Sequence, residues 1–583
     1  MKDKLRKKVG RRTVLLSLFL LLWLSGVIFR LVQLQIIDQS AARERILDQN
    51  QNKILIQPKR GTIYDCKGSI LARSVPRMSV FYNPFAEDPV NEQIQKISKL
   101  SSLLDLSTDD IRNIRARIQN NDHFIYIMRK IEDETAARIA ELKIEGIHMQ
   151  EENKRFYPQG KLAAHLLGRV NMDDVGQSGV ELNFQSVLAG KAGNQINFYD
   201  AKRRKYRFEM TKEPVDGNDI ILTIDETIQY IAEKELAKAV KNREALWGTV
   251  IVSQPSTGGI LALAQSPTFD PNIHQTKIEM TDRIKAIHHL YDPGSTFKII
   301  TISAAVELSS VPLDNTYDCS DNSITIGNKT FFDHTELGVL PFPYVFIHSS
   351  NVGTIQIGLE IGEKKLRDMI GRFHFGQRTG IDLPTEEPGL FRKSERWRDL
   401  GLASASIGYG ISVTPLQMLM ALNVIANQGV LIPPRVIKKI KYNSGEKDLA
   451  SQKPERVITV DTARTVDSIL KGVVEEGTGQ PAKMTGYTIA GKTGTAQKYD
   501  RDRRIYRTDA HVASFAGYVK TDHPLFSIIV VIDSPKGAYY GGQVAAPVFK
   551  EICKGILRYY GIPKNPGSQK KMITAQSLEG RGL

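Results

Sequence analysis

Apolar residues follow three regimes along the chain. Residues 13–29, TVLLSLFLLLWLSGVIF, run for seventeen positions without a charge, at the short end of the roughly 17–25 residues that span a bilayer. Arg30 can snorkel to the interface, and residues 31–37 prolong the apolar character. Residues 13–33 are therefore predicted as a transmembrane helix. A cleaved signal sequence would carry a shorter apolar core, about 7–15 residues, followed by a small-x-small site, whereas this chain continues RLVQLQIIDQ. No second apolar run of this length follows, so everything beyond it is expected on one side of a membrane.

In the second regime, up to about residue 215, short strand-like runs mix with amphipathic stretches. LSTDDIRNIRARI (106–118) opens on Ser, Thr and Asp and has apolar spacing suited to a helix. ILIQPKRGTIYDCKGSIL (54–71) reads as short strands around a Lys67-Gly68 turn. A polar stretch with Pro and Gly, TKEPVDGND (211–219), marks a boundary. Beyond it the pattern turns into strand, helix and hairpin. Asp225 is placed to cap a helix whose apolar side holds Ile228, Ile231, Leu236 and Val240. WGTVIVSQPSTGGILALAQSP (247–267) reads as a hairpin about Thr257-Gly258-Gly259. The end, from 561, is polar and rich in Gly and Pro and is predicted as a disordered tail. The expected divisions are thus 1–12, 13–33, 34–215, 216–560 and 561–583.

Composition narrows the class. At 583 residues, 41% hydrophobic and 25% charged, the chain is long enough for two or three globular domains. The net charge is +15, of which +6 lies in the first twelve residues, MKDKLRKKVGRR. A basic flank of this kind predicts a cytoplasmic N-terminus. No groove-reading motif accompanies the charge, so no nucleic acid is expected, and an anionic membrane or wall suits the excess equally well. The cysteines Cys66, Cys319 and Cys553 have no CxxC or other metal spacing. They read as free thiols, with Cys319–Cys553 the one pairing left open. The eleven histidines show no HExxH spacing, and Gly408-Tyr409-Gly410 lacks the context of a phosphate cradle. No metal and no cofactor are expected.

Three short motifs carry chemistry. Ser295-Thr296-Phe297-Lys298 is an S-x-x-K, Ser349-Ser350-Asn351 an S-x-N, and Lys492-Thr493-Gly494-Thr495 a K-T-G followed by Thr. Each alone is weak, but the ordered set is not. Pro293-Gly294 should lead into a helix on which Ser295 and Lys298, at i and i+3, share a face. A serine hydroxyl needs an adjacent base to act as nucleophile. Lys298 becomes a base if burial and a nearby cation lower its pKa, and Lys492 is placed to supply that cation. Ser349 and Asn351 then hold Lys298 and relay protons. On the strand-like GYTIAGKTGTAQ, Lys492 and Gly494 share a face, and the bare Gly494 is expected to let an extended substrate approach the strand. Thr493, Thr495 and Lys492 would hold a substrate carboxylate, and the backbone N–H groups of Ser295 and Thr495 would form an oxyanion hole.

These motifs resemble the penicillin-binding proteins, and the resemblance spans roughly residues 10–560. RGTIYD (60–65) with Gly68 and Leu71-Ala72 is similar to the first signature of the class B pedestal domain. RFYPQG (155–160), AAHLLG (163–168) and GVE (179–181) are similar to its later ones. SIGYGISVTPLQ (406–417) and GTG (477–479) match the catalytic region. Asp65-Cys66-Lys67-Gly68 departs from the Asp-Arg-Asn-Gly of many relatives, moving the charge one place along. The resemblance implies an α/β (α+β) fold, with an antiparallel sheet flanked by helices in a domain at 216–560. It also implies an elongated, dimerisation-type pedestal at 34–215. The implied activity is that of a monofunctional peptidoglycan D,D-transpeptidase. Its serine attacks D-Ala-D-Ala stem peptides on lipid-linked precursor strands or on the wall, and is acylated by β-lactams.

Length, RSVP (73–76), NMDDVG (171–176) and the lack of large insertions look most like the septal, cell-division type. Its implied partners are a membrane glycosyltransferase and other division proteins, at the bacterial inner membrane. Alternatives are an elongation-specific transpeptidase, a D,D-carboxypeptidase, a β-lactamase or sensor with Glu386 or Glu387 as second base, and a non-catalytic division scaffold.

Overall fold

The computed structural model describes residues 2–33, 35, 51–84, 88–120, 122, 124–199, 205–273, 283–309, 311–391, 397–442, 444–449, 453–500, 502–503, 505–520 and 526–564. The tail expected at 561–583 lies outside them from 565 onward, and the apolar extension lies outside them at 34, 36 and 37. The chain forms two compact units, residues 1–58 with 190–216, and residues 59–189 with 217–583. The first contains a 31-residue helix, Lys2–Val32. Within it Arg6–Val32 is, among the described residues, the one helix long and apolar enough to cross a membrane, with mean hydropathy 2.3 in its most apolar window. The same unit holds an antiparallel sheet of Gln51–Ile56, Gly193–Tyr199 and Lys205–Lys212, in that order.

The second unit is built on a five-stranded antiparallel sheet, in the order Ile260–Ser266, Trp247–Ser253, Ser527–Asp533, Ile505–Lys520, Thr488–Asp500. Its strands are apolar on both faces because both are covered. Val250, Val252, Ala262, Ile528 and Val530 point into one core, shared with the helices Glu226–Asn242 and Gly541–Tyr559. Ile251, Leu263, Ile529 and Val531 point into the other, shared with Lys298–Glu307 and Pro415–Ala426. Side-chain alternation along each strand thus produces a helix–sheet–helix sandwich. Asp225 caps its helix by accepting from the N–H groups of Thr227 and Ile228, and Ile228, Leu236 and Val240 are buried, each worth about 1.5–3 kcal/mol. The hairpin turns at Gly258, φ +71°, where only glycine is unstrained.

Residues 63–156 contribute the strands Ile63–Tyr64, Ile70–Tyr82, Ile125–Ile131 and Ile147–Phe156, with a separate core around Val80, Tyr82, Ile114 and Ile127. Ser107 and Asp110 form a capping box on the helix Thr108–Gln119. Their sheet continues past the polar stretch at 211–219. Ile63–Tyr64 pairs in parallel with Asp219–Leu222, which pairs in turn with Ile437–Tyr442.

Three segments quoted separately from the sequence meet here on one carboxylate. Glu181 accepts from Arg60 Nε at 2.6 Å, Arg155 Nε at 2.6 Å and Tyr157 Oη at 3.2 Å. Arg60 also donates to the carbonyls of Glu181 and Asp174, and Arg155 to that of Gly61. The Lys67-Gly68 turn is closed by Asp65, which accepts from the N–H groups of Lys67 and Ser69, both at 2.8 Å, and from that of Glu226. Lys67, standing one place along from the usual arginine, reaches Asp225 at 3.2 Å and Tyr559.

Burial alone would raise the pKa of Glu181, but Arg155 and Arg60 outweigh it and hold the carboxyl below its ordinary range. The pair therefore adds stability above the unfolded carboxylate pKa of about 4.3, and that stability is lost as pH falls through the depressed folded value. Glu181→Gln strands two buried guanidinium groups and should cost about 3–5 kcal/mol. It is read as a lower urea midpoint at neutral pH, with a shallower loss of stability than the parent on acidification.

Candidate active site

The strand carrying the third motif, Thr488–Asp500, lies at the edge of the five-stranded sheet. The first motif packs against it. The sequence predicts a helix from Ser295; the structure forms a 3₁₀ turn, Gly294–Phe297, that passes into the α-helix Lys298–Glu307. The tighter winding suits the chemistry, because side chains at i and i+3 eclipse in a 3₁₀ turn. Gly494 does something other than expected. A Cβ there would collide with Ser514 Oγ, stand 2.8 Å from Thr296 Cγ2 and 3.0 Å from Pro293 O. The bare glycine thus admits the turn that carries Ser295.

The second motif sits between two helices, Phe342–Ile347 and Asn351–Ile361. Ser349 adopts φ +62°, a left-handed conformation that costs a residue with a side chain on the order of 1–3 kcal/mol. The strain directs its carbonyl and hydroxyl at the two lysines. Lys298 Nζ donates to Ser349 O at 2.7 Å, Asn351 Oδ1 at 2.9 Å, Ser350 O at 3.0 Å and Ser349 Oγ at 3.4 Å. Lys492 Nζ donates to the same Ser349 Oγ at 2.8 Å and to Thr493 O at 3.3 Å. Both lysines are wholly buried.

Burial pushes Lys298 down to about 7, against the opposing pull of Asp333 and Cys319. Lys492 lies well below its ordinary value, through burial first and then repulsion from Lys298. The two amines share Ser349 Oγ, so the repulsion between them is mutual. Their coordination differs. Lys298 has three close oxygen acceptors and a nearby carboxylate, whereas Lys492 has one hydroxyl and one carbonyl.

Asp333 was not legible in the sequence. It is 7% exposed, accepts from Ser350 Oγ at 2.5 Å and from the N–H groups of Asn351 and Val352, and so caps the helix that presents Asn351. No motif spacing marks an acid in a run such as TFFDHTELG; its role exists only once the two helices fold together. Cys319 Sγ lies 3.2 Å from Ser350 Oγ, and all three cysteines are unpaired, which closes the Cys319–Cys553 pairing.

In front of the lysines a cavity of about 290 Å³ is lined by Ser295, Ser349, Thr478, Thr493, Thr495 and Tyr540, among others. Ser295 is half-buried at its wall. Thr493 Oγ1 lies 2.8 Å from Thr478 Oγ1, and Thr495 Oγ1 accepts from Gly541 N at 2.9 Å. His334 and Tyr540 meet edge to face across the cavity, centroids 5.3 Å apart; neither was singled out from sequence. Glu386, weighed as a second base, instead accepts from Thr379 N, Thr379 Oγ1 and Gly380 N in its own loop.

A serine in a cavity with two buried lysines on a sheet edge is the arrangement of the serine transpeptidases, and comparison with known proteins agrees. Residues 248–554 match the penicillin-binding protein transpeptidase domain, and residues 55–222 the penicillin-binding protein dimerisation domain. The probable peptidoglycan D,D-transpeptidase PenA of Neisseria meningitidis is 32% identical over 95% of this chain and 93% of its own length. Peptidoglycan D,D-transpeptidase FtsI of Escherichia coli is 31% identical over 98% and 96%. The crystal structure of penicillin-binding protein 3 of Mycobacterium tuberculosis with aztreonam aligns with TM-score 0.69 and 28% identity, covering 88% of this chain and 99% of that one. The chain belongs to the class B penicillin-binding proteins.

Lys298 can accept a proton only when neutral, so acylation of Ser295 should rise with pH through about 7 and then level off. Asp333→Asn places an amide N–H₂ where donors converge, and should slow acylation by about 10- to 100-fold while the protein stays folded. Both are read from the rate of labelled-penicillin incorporation across a pH series.

Proposed function

We propose that this protein cross-links peptidoglycan by acyl transfer through Ser295. The observation that carries the reading is the meeting of Ser295, Thr493 and Thr495 in one cavity with Lys298, Ser349 and Lys492 joined directly behind it. A stem peptide ending in D-Ala-D-Ala lays its carboxylate against Thr493, Thr495 and Lys492, which supplies the counter-charge Lys492 lacks. Neutral Lys298 takes the Ser295 proton, and Oγ bonds to the penultimate carbonyl carbon. The N–H groups of Ser295 and Thr495 stabilise the oxyanion. The C–N bond to the terminal D-Ala then breaks, its nitrogen taking a proton from the Lys298–Ser349–Lys492 relay, with Asn351 fixing Lys298 throughout. An amine of a neighbouring stem attacks the ester and releases Ser295. β-Lactams, such as the aztreonam bound to the Mycobacterium tuberculosis relative, would acylate the same oxygen.

The remaining readings rest on the same frame. Residues 13–33 act as a single-pass anchor in the bacterial inner membrane, with the basic residues 1–12 in the cytoplasm. Residues 34–215 serve as the non-catalytic pedestal and 216–560 as the transpeptidase. Its likeness to the class B penicillin-binding proteins supports work beside a membrane glycosyltransferase. Its similarity to FtsI supports a septal role.

The test is a peptide ending in D-Ala-D-Ala, offered with and without an amine acceptor. The expected result is a cross-linked product whose formation tracks D-Ala release and vanishes in Ser295→Ala. Release of D-Ala with no cross-link at any acceptor concentration would make the protein a carboxypeptidase. Depletion in cells should give filaments without septa; rounded cells would favour an elongation role.

A further inference from the structure

A second cavity, of about 570 Å³, lies in the catalytic region and has no part in the chemistry above. It is lined by Lys483, Lys550, Lys554, Arg558 and Lys564, with Met484, Tyr487 and Leu557 supplying apolar surface. Its geometry is built rather than incidental. Lys550, Lys554 and Arg558 stand four residues apart along the helix Gly541–Tyr559 and therefore on one face. The segment at 562–564 is laid across the turn at 484–487, where Tyr487 Oη donates to Ile562 O at 2.8 Å. Gly486 there has φ +88°, and a Cβ would come within 2.8 Å of Lys564 Cβ, so the glycine lets the Lys564 stem lie flat on the turn. The cavity adjoins the active-site cleft. Pro481 lines the one and Lys483 the other, and Gln543 and Lys550 stand two turns, about 10 Å, apart on one helix.

The charge is only partly compensated. Lys483 pairs with Glu475 at 2.6 Å and Lys554 with Glu551 at 2.7 Å. Lys550, Arg558 and Lys564 form no ion pair among the described residues. Like charges at this spacing on a helix repel one another. Isolated carboxylates along a polymer would be met by isolated cations. Three unpaired cations around one cavity, one of them a guanidinium, suit a compact anion carrying more than one charge.

The geometry points to a binding site for a phosphate group of charge near −2, from a phosphorylated lipid headgroup or a water-soluble phosphate, with the apolar floor favouring the former. The test uses the full-length protein in nonionic detergent and calorimetric titration with two probes, inorganic pyrophosphate and dihexanoyl phosphatidic acid. Both should bind, and Lys550→Glu with Arg558→Glu should weaken both by about tenfold or more. Penicillin acylation of Ser295 should be unchanged, which shows the double variant is folded; Lys550→Gln with Arg558→Gln gives the same reading if the reversal unfolds it. Tighter binding of phosphatidic acid than of pyrophosphate identifies a lipid ligand; equal or weaker binding identifies a soluble or polymeric phosphate. Failure of both probes to bind the parent, or unchanged binding in a folded double variant, would overturn the site.

Discussion

Two lysine amines are held out of water on either side of a single serine hydroxyl, and the structure around them is arranged to make that tolerable. A buried ammonium without partners is among the costliest groups a fold can contain. Lys298 is kept soluble, in effect, by carbonyls of the strained Ser349 turn and by the amide of Asn351. Lys492 has fewer partners, one hydroxyl and one carbonyl. Ser349 Oγ touches both, so the protonation of either amine depends on the other, and only one charge is comfortable there at a time. A carboxylate bound on the threonine side, as proposed for the substrate, would shift that balance.

The demands of this pair spread outward. The S-x-N turn must be locked, and Asp333 does so by gathering the Ser350 hydroxyl and two helix N–H groups. The turn carrying Ser295 must reach the sheet edge closely enough for Ser295 to share a cavity with Thr493 and Thr495. Gly494 permits this on the strand side, and Gly294, at φ +54°, on the other, where a Cβ would stand 2.9 Å from Thr495 O. The strand is kept straight by an unbroken antiparallel register with its neighbour from Thr488 to Gln497. Asp292, next to the turn, accepts from Tyr506 Oη at 2.6 Å and Ser412 Oγ at 3.1 Å, tying the turn to the neighbouring loop and hairpin.

Much of this was readable beforehand because the relevant signals are local. The Asp225 cap, the Ser107 capping box, the hairpin at Gly258 and the long apolar N-terminal helix each depend on a few adjacent residues. The three motifs were legible because the chemistry needs those residue types in that order. What stayed hidden is what arises between distant segments. Arg60, Arg155 and Glu181 were seen as three separate signatures, and only folding shows them as one ion cluster. Asp333, His334 and Tyr540 have no sequence context that sets them apart. The role of Gly494 was misjudged because a strand pattern says which face is bare, not what packs on it. The unequal coordination of Lys298 and Lys492 arises between distant segments, and no spacing reveals it.

The account stands on Ser295 being the oxygen that the buried lysines arm. The direct measurement is to incubate the full-length protein with labelled penicillin, digest it, and locate the drug by peptide mass. The account predicts the added mass on the peptide containing Ser295, as an ester that persists long after free drug is removed, and its absence in Lys298→Ala. Label on any other residue, or unimpaired labelling of Lys298→Ala, would contradict it.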